Sequence, residues 1–136
     1  MSTPESIVAA FAAYIDAFNR GDFDGFTDHY TDDVELTVAN GTRLKGRQAI
    51  IDFYRNVRAG TQRTIRVVES FADENGLAAE LESEFLATMD VPDFTSGPMR
   101  KGDRLHVRTF VIYELRDGRF ARIRSAPYKR EWLRAE

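Results

Sequence analysis

A chain of 136 residues, 43% hydrophobic and 30% charged, has the length of one compact domain, too short for two ordinary cores and too apolar for a disordered tail. It has no cysteine, which excludes disulfides, thiolate nucleophiles and cysteine-based zinc sites together and removes any need of an oxidising compartment, so a cytoplasmic location is expected. The net charge of −3 gives no general pull towards nucleic acid, the start MSTPES lacks the basic segment of a secretion signal, and no apolar run approaches the roughly 18 residues that span a bilayer, so neither nucleic acid nor membrane is an expected partner.

Thr3 or Ser2 can cap a first helix, Pro4 suits its first turn, and Ile7, Phe11, Tyr14 and Phe18 recur at three- and four-residue spacing until Gly21. Asp22 can cap a shorter second helix carrying Phe23, Phe26 and Tyr30, ending at the acidic pair Asp32 and Asp33. Val34, Leu36 and Val38 then alternate with polar residues up to Asn40-Gly41, a hairpin dipeptide, and Thr42 to Lys45 returns. Ala49, Ile50, Phe53, Tyr54 and Val57 have helical spacing in a third helix that Gly60 can close.

From Thr64 the period becomes two. Ile65, Val67, Glu69 and Phe71 fall on one face of a strand, and Asn75-Gly76 turns the chain. Leu77, Ala79, Leu81, Ser83, Phe85 and Ala87 then alternate with a mostly acidic face. A loop from Asp90 to Asp103 follows, longer than a hairpin needs, which is the signature of either a pocket lid or a mobile segment. Leu105 to Leu115 and Phe120 to Ser125 form a last hairpin around Asp117-Gly118, and the tail APYKREWL carries the one tryptophan, Trp132. Three helices before a long antiparallel meander make the fold class α+β, one domain over residues 1–136, with the helices on one face of a curved sheet.

Helix, NRGDFDGF, DHYTDDVEL, hairpin, KGRQAIIDFY and meander together resemble the nuclear transport factor 2-like superfamily in its SnoaL-like branch, and the resemblance covers nearly the whole chain. It implies a cone-shaped, cystatin-like α+β barrel and leaves the activity open, because the fold hosts isomerases, cyclases, dehydratases, epoxide hydrolases and proteins with no chemistry. The first sixty residues are similar to bacterial ketosteroid isomerase, in which a tyrosine and a protonated aspartic acid stabilise an enolate while an aspartate moves the proton. On that resemblance the tyrosine matches Tyr14 and its supporting tyrosine Tyr54. The aspartate base falls on Val38, and the acid falls near Val111, beside Thr109 and Phe110, so neither carboxylate is present.

Carrying one face across the sheet turns Leu36, Val38, Leu81, Ser83, Phe85, Thr109, Val111, Tyr113, Ile123 and Ser125 inward with Tyr14, Phe18, Phe53 and Tyr54. This lining is either an ordinary core whose hydroxyls find partners or a greasy pocket for an apolar ligand. Asp33 and His29 are the available titrating helpers should chemistry occur there, with Tyr14 as proton donor or oxyanion partner and Tyr54 as its support. Two isolated histidines without carboxylates at ligand spacing leave no metal site, and no cofactor is expected.

On the outward face Glu80, Glu82 and Glu84 oppose His106, Arg108, Arg122 and Arg124, and Leu86, Phe110 and Ile112 form an apolar centre suited to a subunit interface. A homodimer through the convex sheet face is expected, as the superfamily resemblance also implies. Three functions stay open: a cofactor-independent isomerase, cyclase, dehydratase or hydrolase on a small apolar or polyketide-like substrate, an apolar-ligand carrier or sensor, and an interaction module.

Overall fold

A computed structural model describes residues 3–136, and Ser2, one of the two cap candidates, lies outside them. The helix α1 (Pro4–Asn19) starts where Thr3 Oγ1 accepts the Ser6 backbone N–H at 3.1 Å while Ser6 Oγ accepts that of Thr3 at 2.9 Å, a reciprocal capping box. Its inner face buries Ile7, Phe11, Tyr14, Ile15 and Phe18. There follow α2 (Phe23–Thr27), β1 (Tyr30–Thr37), β2 (Arg43–Lys45), α3 (Arg47–Gly60), β3 (Thr61–Asp73), β4 (Gly76–Ala87), β5 (Arg104–Arg116) and β6 (Arg119–Leu133).

The six strands form one curved, unclosed sheet in the order β2-β1-β6-β5-β4-β3, with the helices packed on its concave face. The meander from β3 to β6 is antiparallel throughout, and β1 and β2 form the expected hairpin. The first hairpin joins the meander through a parallel pairing of β1 with β6, Leu36 opposite Ile123. No helix among the described residues is long and apolar enough to cross a membrane.

Four details differ from the sequence reading, each for a tertiary reason. Helix α2 stops at Thr27 rather than running to Tyr30, because Tyr30 already pairs with Phe120 and the Phe120 N–H donates to the His29 carbonyl at 2.7 Å. The acidic pair Asp32 and Asp33 therefore lies on a strand. In β3 an extra residue, Val68, stands between the pairs Val67 with Leu81 and Glu69 with Glu80, and this bulge reverses the alternation. Phe71 consequently faces out from the sheet instead of sharing the face of Ile65.

The tail APYKREWL is the second half of β6, paired with β5 as far as Leu133 opposite Arg104. Pro127 is tolerated in it because β1 pairs with β6 only up to Arg124, so the strand is an edge beyond that point and no N–H is required there. Lastly, Arg122 and Arg124 pair with Glu114 at 3.2 and 3.7 Å rather than with the glutamate row of β4, since β5 separates the two strands. The β4 row takes Arg66, Arg104, His106 and Arg108 instead, with Arg108 holding both Glu80 at 2.9 Å and Glu82 at 2.6 Å.

The main core lies between helices and sheet, and a second cluster of Ala87, Met99, Leu105 and Val107 lies under the loop after β4. That loop sits so close to the end of α3 that a Cβ on Gly60 would come within 2.7 Å of the Val91 side chain. The Thr88 N–H donates to the Gly60 carbonyl at 2.9 Å, which fastens the two together.

Candidate functional site

Period-two alternation on the concave face sends one row of side chains from each strand towards the helices, and the two layers do not close completely. A cavity of about 210 Å³ remains between them. The sheet contributes Leu36, Val38, Leu81, Ser83, Phe85, Thr109, Val111, Tyr113, Ile123 and Ser125, and the helices contribute Tyr14, Phe18, Phe53 and Tyr54, so the inward set read from the sequence lines one space. An engineered protein cavity of about 150 Å³ holds a benzene ring, so this one has room for a one- or two-ring body.

Tyr14 and Tyr30 share a hydroxyl–hydroxyl hydrogen bond of 2.7 Å beneath the cavity wall. Burial first, and the neighbouring tyrosines second, push the Tyr14 hydroxyl well above the ordinary phenol range. Burial likewise raises Tyr30 and Tyr113, so all three remain neutral hydrogen-bonding groups. When Tyr30 donates to Tyr14, the Tyr14 proton is available to a ligand oxygen. Tyr54, expected to support Tyr14, packs edge-on against Phe18 at 4.9 Å, and Tyr30 fills the supporting place. Tyr30 has the spacing of a helix face in the sequence, but it is the first residue of a strand, which is what turns its hydroxyl to Tyr14.

His29 and Asp33, the expected titrating helpers, do not line the cavity. The His29 ring lies against Phe120, 6.2 Å between centroids, and 5.6 Å from the Tyr14 ring. Burial lowers its proton affinity, with the Asp28 charge acting in the opposite direction. Asp33 alternates with the buried Val34 on β1 and so points outward, where its carboxylate pairs with Arg116 and accepts the Thr31 hydroxyl at 2.9 Å. Those two hydrogen bonds hold it below the usual carboxylate range, fixed as an anion on the surface.

The sequence reading missed a cation. Arg63 on β3 lines the cavity, its guanidinium carbon 4.9 Å from the centroid of Phe85, 5.3 Å from that of Phe18 and 6.0 Å from that of Tyr54. Its Nη2 donates to Ser83 Oγ at 3.2 Å, and its Nε is buried without a hydrogen-bond partner. The signal lies in the alternation: Arg63 stands two residues before the inward Ile65, and the strand starts at Thr61 rather than at the expected Thr64, which brings Arg63 into it. No aspartate, glutamate or histidine lines the cavity among the described residues. No group of three His, Asp or Glu among them is set to hold a metal ion either.

Phe94, Thr95 and Ser96 of the loop after β4 complete the wall, together with Asn40 and the exposed Arg130. The loop is fastened rather than free. Val91 and Met99 exchange backbone hydrogen bonds of 2.8 and 2.9 Å, and Phe94 meets Phe85 edge-on at 5.2 Å. The buried Asp103 carboxylate accepts the backbone N–H groups of Arg100 at 2.9 Å and Ala135 at 2.8 Å, and the Arg134 guanidinium at 2.9 Å. These donors lower its pKa to about 2, the two backbone N–H groups contributing most. Loop and C-terminal tail are thereby tied to one anion.

Residues 11–123 match the SnoaL-like domain family. Among solved structures, a candidate polyketide cyclase from Xanthomonas campestris pv. campestris superimposes with a TM-score of 0.81 at 22% identity, over 94% of this chain and 93% of that one. An epoxide hydrolase of the LEH-like type from M. tuberculosis gives 0.73 at 16% identity, over 92% and 84%. A candidate ketosteroid isomerase from Kribbella flavida gives 0.68 at 16% identity, over 93% and 80%. At these identities the likeness is one of fold, that of the nuclear transport factor 2-like superfamily. No curated protein matches the chain in sequence.

Proposed function

Because the chain belongs to the SnoaL-like domain family, whose superfamily fold serves many chemistries from one cavity, we propose that it binds an apolar small molecule of one or two rings between its sheet and helices. The observation that carries this reading is the lining itself: largely aliphatic and aromatic, with hydroxyls that include those of Tyr14, Tyr54, Ser83, Thr109, Tyr113 and Ser125, and, among the described residues, with no carboxylate or imidazole. Valines line the cavity at positions 38 and 111, where the ketosteroid isomerase resemblance would put its two acids. A general base has to reach the proton it takes, and this lining supplies none, so the cavity holds a ligand without drawing a proton from it. Each apolar side-chain equivalent buried by the ligand contributes roughly 1.5–3 kcal/mol before the costs of association.

The hydrogen-bonded pair of Tyr14 and Tyr30 favours a second reading. Donated to a carbonyl oxygen, the Tyr14 hydroxyl stabilises developing negative charge, which would serve an isomerisation, cyclisation, dehydration or hydrolysis in which the substrate or a water moves the proton. Proton NMR of one- and two-ring ketones and phenols incubated with the protein separates the two readings. Binding with the compound unchanged supports the first; conversion that falls in Tyr14→Phe while affinity holds supports the second.

We also propose a homodimer through the convex face, where Phe71, Phe110, Ile112 and Tyr128 are 67%, 52%, 48% and 51% exposed and Phe110 stacks on Tyr128 at 4.6 Å. Light scattering after gel filtration should give twice the chain mass for the wild type and the single mass for Ile112→Glu. A monomeric wild type would end this proposal.

A further inference from the structure

We infer that the ligand is an organic acid, a one- or two-ring apolar body bearing one carboxylate seated against Arg63. The inference rests on the reading of the cavity as a ligand site and goes beyond it in naming a charge. On the convex face Arg66, Arg104 and Arg108 each pair with a glutamate of β4. Arg63 shares a strand with Arg66, yet among the described residues it has no carboxylate partner, one hydrogen bond to a neutral hydroxyl and a buried Nε with none. Arg63 is half-buried, with its Nε fully out of water, and a cation partly withdrawn from water gains from a counter-charge, which the rings of Phe18, Tyr54 and Phe85 hold the guanidinium ready for without supplying.

No acid among the described residues supplies that counter-charge, a ligand entering the cavity can, and the planar fork of N–H donors matches a carboxylate. Arg130 adds a second cation to the lining, so the field of the cavity attracts anions and repels cations. The apolar walls fix the rest of the molecule: a small inorganic anion would pair with Arg63 but leave the surrounding rings uncovered, whereas an aromatic or alicyclic acid satisfies both. A neutral ligand of the same shape would leave the guanidinium as it is now.

The test compares 1-naphthoate with 1-naphthamide, which share a ring body and differ in charge, by isothermal titration calorimetry near neutral pH. The wild type should bind the acid at least about tenfold more tightly than the amide. Arg63→Met should abolish or reverse that preference, Arg63→Lys should keep part of it, and raising the salt concentration should weaken the acid more than the amide. Wild-type protein that binds both alike overturns the inference and leaves the cavity reading intact, and so does a preference that survives in Arg63→Met. Should Arg63→Met fail to fold, the wild-type comparison still decides. If the wild type binds neither probe, the cavity reading falls and the inference with it.

Discussion

Arg63 and Arg108 stand on opposite faces of one sheet and show how differently the two faces use the same side chain. Arg108, on the convex face, is held between Glu80 and Glu82, with the Tyr128 hydroxyl donating to Glu80 at 2.8 Å. Its charge is spent within the protein. Arg63, on the concave face, is half-buried beside the rings of Phe18, Tyr54 and Phe85 and meets no acid among the described residues. Charge compensated by the chain contributes to folding and to strand register, whereas charge left uncompensated in a cavity is available for recognition.

The largest effect that would break this comparison is steric. Val111→Trp fills the cavity, so binding of 1-naphthoate should fall more than about a hundredfold, while overpacking costs about 1–3 kcal/mol of stability, measured by urea denaturation. Unchanged affinity would locate the ligand elsewhere. Tyr14→Phe comes next: it leaves the buried Tyr30 hydroxyl without its partner and should cost about 1–3 kcal/mol by the same measurement. A third pair of variants addresses the two faces directly. Without ligand, Arg63→Met should raise Tm by roughly 2–4 °C by removing an unpaired charge, whereas Arg108→Met should lower it by leaving Glu80 and Glu82 unpaired. Shifts of the same sign would erase the distinction.

The inward rows of β4 and β5 were legible in the sequence, because these two strands alternate without a bulge of their own from Gly76 to Ala87 and from Arg104 to Arg116. What was hidden depended on pairing partners far along the chain. Tyr30 reads as helical until Phe120 is known to lie beside it, and the spacing that put Phe71 inward is undone by one bulged residue, Val68. Arg63 was lost to a strand boundary. Asp33 and His29 looked like pocket acids and bases through proximity in sequence to the first strand, yet one faces outward and the other packs against Phe120.

Two smaller effects concern pH. Asp103 is held at about 2 in the folded chain against an ordinary 3.8, so its contribution is complete above about 3.8 and is lost as pH falls through about 2. Asp103→Asn should therefore flatten the acid limb of a stability profile and speed amide exchange at Ala135, whose N–H the carboxylate accepts. His29 has the opposite character: burial lowers its folded pKa below 6.5, the unfolded chain takes up the proton first, and stability falls as pH drops below that value. His29→Gln should remove that slope in thermal melts between about pH 5 and 7.

Whether the space between helices and sheet is a ligand site is decided by native mass spectrometry of gently purified wild-type protein and Val111→Trp side by side, before and after incubation with 1-naphthoate. One small molecule per chain is expected on the wild type, retained from purification or acquired from the probe, and none on the variant. Equal occupancy of the two proteins, or none on either, would contradict a ligand site there.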